Sequence, residues 1–129
     1  MSHFIFLCIL FLGIDLSANV YYYSFGKKVA LKPLHETRNI GNTTLRYYEF
    51  PTGEKVGVKQ EIIIGCKDFP KCKKLLEKYP IISTQKLSDK LYLIKLSKDS
   101  NPFEIANELY HKEEIFLSHP NFVRERKLR

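Results

Sequence analysis

Apolar and polar positions divide the chain, from residue 19 onward, into short elements. Val20–Tyr23 and Lys28–Leu34 read as two strands joined around Phe25 and Gly26, a hairpin signal. Residues 35–43 are polar and read as a loop. Leu45–Phe50 is a further strand, closed by the turn residues Pro51, Thr52 and Gly53. Residues 19–58 therefore predict a small β-hairpin region. Glu61–Cys66 is a β-branched strand. Asp68 is placed to cap a helix with Pro70 in its first turn, where the missing N–H has no partner to lose. Cys72, Leu75, Leu76 and Tyr79 then share one helical face, with Lys71, Lys74 and Lys78 on the wet side. Pro80 ends the helix.

Ile81–Leu87 and Leu91–Leu96 read as strands around a turn at Ser88, Asp89 and Lys90. Asn101 is an N-cap, Pro102 stands at N1 and Glu104 at N3, a variant of the capping box. Phe103, Ile105, Ala106, Leu109 and Tyr110 supply that helix's buried face, and Ile115–Val123 is the last strand. Residues 59–123 thus run β-α-β-β-α-β. This predicts an α+β domain of ferredoxin-like type, an antiparallel sheet with both helices on one face. Such a sheet leaves its second face wet and polar, but here alternation puts Ile63, Leu91 and Leu93 on it. Either this face is an interface or the front hairpin region covers it.

Residues 1–18 read as an export signal. Phe4–Leu12 is a short apolar run, and Leu16, Ser17 and Ala18 form a small-residue cleavage site, although only the amino terminus and His3 supply positive charge ahead of it. The run is too short to span a bilayer as a helix. Cleavage near Ala18 predicts a periplasmic or extracellular protein without a stable membrane anchor; an uncleaved anchor is the alternative. The chain has formal net charge +7, and loss of Asp15 with the signal raises it to +8. The lysines are spread along the chain, so only residues 124–129 form a local basic cluster. Cys66 and Cys72 are an even pair suited to a disulfide in an exported protein, or else two buried thiols. No metal site is expected, because two cysteines with no histidine at ligand spacing do not make four ligands. No cofactor is expected either.

Asn101–Tyr110 followed by His119, Pro120, Asn121 and Phe122 resembles the end of the pro-region of secreted subtilisin-type serine proteases. There, a Pro-Phe helix with Ala-Asn and Leu-Tyr pairs leads to a strand ending in Pro-Asn-Phe. Tyr21–Leu31 resembles the opening of such precursors, so the resemblance spans residues 19–127. It implies a ferredoxin-like pro-region that packs its open sheet face on a protease, lays its C-terminal tail in the substrate cleft, and acts as folding chaperone and inhibitor. The tail would be Val123, Arg124, Glu125, Arg126, Lys127, Leu128 and Arg129, the helix 102–113 and the strand 115–122. No Asp-, His- and Ser-centred catalytic motifs accompany these residues, and His35, His111 and His119 lack the neighbours of a triad. The expectation is therefore a non-enzyme whose partner is a subtilisin-type catalytic domain supplied in trans.

Three other readings compete. The chain could be the non-catalytic front of a split or truncated precursor. It could bind single-stranded nucleic acid through Tyr92 and its basic charge, although the basic-Gly-aromatic strand motif is missing. It could be a small enzyme, but Glu61, Asp68, Glu104, Glu108, Glu113 and Glu114 form no spaced pair. His119 is a candidate pH sensor, and Phe122 is expected to plug the core.

Overall fold

The computed structural model describes residues 19–124. The signal-peptide expectation for residues 1–18 and the tail residues Glu125, Arg126, Lys127, Leu128 and Arg129 lie outside the described residues. Among the described residues, seven strands and two helices follow in the order β1 (Val20–Ser24), β2 (Lys27–Ile40), β3 (Thr43–Glu49), β4 (Lys55–Cys66), α1 (Phe69–Leu76), β5 (Ile81–Lys86), β6 (Leu91–Leu96), α2 (Pro102–Tyr110) and β7 (Ile115–Arg124). This is a mixed α+β fold. All strand pairings are antiparallel, and they build one seven-stranded sheet, β1-β2-β3-β4-β6-β5, with β7 also on β4. A four-stranded sheet preceded by a hairpin is thereby corrected to a single larger sheet.

Two long strands make it continuous. The first half of β2 pairs with β1 and its second half with β3, across a register shift between Pro33 and Thr37. His35 sits in that irregularity at φ 55°. The residues expected as a loop, 35–40, are strand. Ile40 pairs with Thr43 across Gly41 and Asn42, and Gly41 takes φ 63°, which a glycine adopts without strain. β4 spans position 58 without a break. Residues 55–58 pair with β3 and residues 61–65 with β6, while β7 lines the other side throughout.

Alternation sorts the side chains into two cores on one side of the sheet. In the first, Ile62, Ile64, Ile94 and Leu96 meet Cys72 and Leu76 of α1 and Ile105, Ala106 and Leu109 of α2. Each fully buried aliphatic side chain contributes roughly 1.5–3 kcal/mol. Both helices therefore pack on the same face. Asn101 caps α2 as expected, its Oδ1 accepting from the Phe103 and Glu104 N–H groups at 2.9 and 3.3 Å. Asp68 does not cap α1 through its side chain. Instead its carbonyl accepts from the Cys72 N–H at 3.1 Å, and a Cys66–Cys72 disulfide ties the helix to the end of β4, with Cα atoms 6.1 Å apart. A loop this short stabilises by about 2 kcal/mol in the chain-entropy model.

The second core is aromatic. Leu31, Phe50, Val56, Val58 and Phe103 are buried there, with Val20, Tyr22, Tyr48 and Phe122 against them. Tyr22 meets Phe122 edge-on at 4.8 Å and Tyr48 meets Phe103 at 5.0 Å. Phe122 thus plugs a core as its sequence context suggests. Asn107 of α2 donates through Nδ2 to the Tyr21 carbonyl at 2.9 Å, and Tyr23 stacks on Tyr110 at 4.4 Å. The front strands therefore curl toward the helix side, around the start of α2 and the end of β7.

Candidate functional site

The curl decides which face of the sheet the described residues leave open. Ile63, Leu91 and Leu93 belong to neither core and are half-buried. Register places them together. Ile63 stands opposite Leu93 on β6 and His119 on β7, and Gly65 stands opposite Leu91 and Leu117. Directly opposite residues of an antiparallel pair share a face, so Ile63, Leu91, Leu93 and Leu117 form one apolar band on the side away from the helices. Phe116, 48% exposed, lies over Gly65: a Cβ built at position 65 would come 2.5 Å from its ring. The glycine makes the notch in which that ring rests.

The band has a polar rim. Glu61 pairs with Lys95 and accepts from Asn121 Nδ2 at 2.8 Å, while Gln85 stands beside Leu93. His119 is half-buried at this rim, its Nδ1 2.8 Å from the Pro120 carbonyl and its ring stacked against Phe122 at 6.2 Å. An apolar centre with a polar margin is the anatomy of a protein-binding patch. Sequence alternation reaches Ile63, Leu91 and Leu93. It does not reach Leu117 and Phe116, because a register shift between Gly65 and Cys66 disturbs the period of β7.

The predicted tail begins inside the sheet. Val123 pairs with Gly57 and Arg124 with Val56, so these two residues complete β7. Arg124 Nη1 reaches both Glu54 carboxylate oxygens at 2.9 Å, and its guanidinium lies 5.1 Å from the Phe50 ring. Both charged side chains are about half exposed, so the pair is worth under about 1 kcal/mol. Its effect is geometric, holding the described end of β7 beside the Phe50–Glu54 turn.

The remaining candidates are scattered. Tyr92 is buried and stacks on Phe69 at 4.5 Å, so the aromatic on which nucleic-acid stacking depended faces the helices. Glu108 accepts from the Tyr79 hydroxyl at 3.0 Å. Burial first, then this bond and the Glu108 charge, push the Tyr79 phenol up to about 12. Burial also raises the Tyr22 and Tyr48 phenols, with Arg124 and Arg46 opposing. Among the described residues no three His, Cys, Asp or Glu side chains gather as a metal would require, and no helix is long and apolar enough to cross a membrane.

Comparison with models of known protein families gave no match, and neither curated proteins nor solved structures returned one.

Proposed function

We propose that the chain is a propeptide-like module that binds a subtilisin-type serine protease, docking through its open sheet face and presenting its C-terminal tail to the substrate cleft as inhibitor or folding chaperone. The observation that carries this is the band of Ile63, Leu91, Leu93 and Leu117, which no other described element covers, opposite both helices and beside the strand that leads into the tail. The finer fold reading, a ferredoxin-like unit, is supported by the order β7-β4-β6-β5 within the larger sheet and by both helices lying on one side. The resemblance of Asn101–Tyr110 and His119–Phe122 to a protease pro-region names the partner class.

A standard interface buries roughly 800 Å² on each partner, which one sheet face and a short peptide supply together. Holding the tail on a folded strand lowers the ordering cost of binding, and an extended tail adds backbone hydrogen bonds in a cleft. The test is titration of a subtilisin-type protease with the full chain and with a version ending at Arg124, which keeps every pairing of β7. The full chain slows peptide cleavage, and loss of residues 125–129 weakens inhibition at least tenfold. Equal inhibition by both removes the tail from the mechanism; no inhibition and no binding by either removes the protease.

A further inference from the structure

A second surface lies at the tip of the β1–β2 hairpin, beside the end of α2 and not on the open sheet face. Ser24 pairs with Lys27, leaving Phe25 and Gly26 as a two-residue turn with φ 51° and 80°. Both central residues of such a turn need the left-handed region, which is why Asn-Gly and Asp-Gly dominate it. Phenylalanine is a poor choice there, since its Cβ crowds the backbone at positive φ. Its side chain gains nothing in return from the fold, being 97% exposed.

The surroundings are aromatic and cationic. Tyr23 lies edge-on to Tyr21 at 5.8 Å and stacks on Tyr110, with His111 5.2 Å away. Lys28 Nζ sits 4.0 Å over the Tyr21 ring, and Lys27 and Lys28 are exposed. Residues 20–35 carry Lys27, Lys28 and Lys32 and no acidic side chain. An apolar ring at a tip, amphipathic tyrosines behind it and lysines beside it match the layers of an anionic lipid surface: acyl boundary, interface and headgroup.

We infer that the hairpin tip is a lipid-contact site, inserting Phe25 into the interface of an anionic membrane while Lys27 and Lys28 meet the headgroups. This goes beyond the protease-binding reading and does not depend on it. The exposed ring that is costly in free solution becomes the part of the molecule that leaves water.

The chain contains no tryptophan, so Phe25→Trp in the full chain gives a single fluorescent reporter at the tip. Ile82→Trp, on the exposed strand β5 (Ile82 is 65% exposed), is the control for nonspecific partition of the whole chain, including the apolar run Phe4–Leu12. The probes are phosphatidylcholine vesicles and vesicles with about one part phosphatidylglycerol to three of phosphatidylcholine. The expected result is a blue shift of the tip reporter with the anionic vesicles only, quenching by brominated lipid, and weakening by salt. Lys27→Gln with Lys28→Gln, added to the reporter, raises the anionic lipid needed for half the shift about 30-fold. Tip emission unchanged by either vesicle overturns the proposal. So does an equal shift with neutral vesicles, an equal shift of the β5 control, or a tip shift seen only when the protease is added, which marks a protein contact.

Discussion

Neighbouring residues of β6 should fail in opposite ways. Ile94 faces the helices, is 0% exposed, and stands opposite Ile62 and Thr84. Leu93 faces the open side, opposite Ile63 and Gln85. Ile94→Ala leaves a cavity among side chains of both helices and costs about 2–5 kcal/mol, a large part of the roughly 5–15 kcal/mol that holds a domain together. Leu93→Lys loses only a cross-strand apolar contact and costs at most about 1 kcal/mol. In the docked state the order reverses. Leu93→Lys forfeits about 1 kcal/mol of apolar burial and forces an ammonium out of water for about 2 kcal/mol more, so protease affinity falls about 100-fold. Urea unfolding followed by circular dichroism reads the first effect, and the inhibition constant reads the second. If Leu93→Lys unfolds as easily as Ile94→Ala, the face is not open. If its inhibition constant matches that of the unaltered chain, the open face is not the docking surface.

Two further outcomes test the packing. Tyr79 ionises near 10 when unfolded and near 12 when folded, so its contribution is fully present below about pH 10 and is lost as pH rises toward 12. Tyr79→Phe should flatten part of the fall in urea midpoint between about pH 10 and pH 12; an unchanged slope would show that the fold does not raise this phenol. Asn107→Ala removes the donor to the Tyr21 carbonyl and should cost about 1–2 kcal/mol, with amide exchange accelerated in Val20–Ser24 while β4 and β6 stay protected. Uniform acceleration would mean that β1 is not a separately opening element.

The elements that were legible in the sequence were those whose side chains see two different environments. Tyr92, Ile94 and Leu96 are buried on one side of β6 while Lys95 is exposed on the other, and this contrast is a period of two that can be counted along the chain. Asn101 and Pro102 announce α2 for a local reason, since the cap is completed within three residues. The second half of β2 gives no such signal. Residues 35–40 are exposed on both faces, so their polarity imitates a loop, and only Gly41 and Asn42 mark the ribbon they form. The continuity of the sheet was hidden for a related reason: it depends on pairings between residues far apart in the chain. Asp68 failed differently. It had the right residue type for a cap, but its side chain makes no hydrogen bond to a helical N–H.

The dependence on distant pairings also explains why the open face could be suspected but not assigned from sequence. Ile63, Leu91 and Leu93 could be counted onto one side, yet whether the front hairpins covered them depended on the direction in which those hairpins curl. Phe103 settles this. It lies at the start of α2, on the helix side, and draws Tyr48, Phe122 and the β1–β2 pair around itself. Once those strands have buried their apolar side chains against α2 and β7, the leucines and isoleucine of the sheet's second face remain partly exposed. The separate outcomes at Leu93 and Ile94 therefore measure whether the two faces of β6 divide stability from the proposed docking.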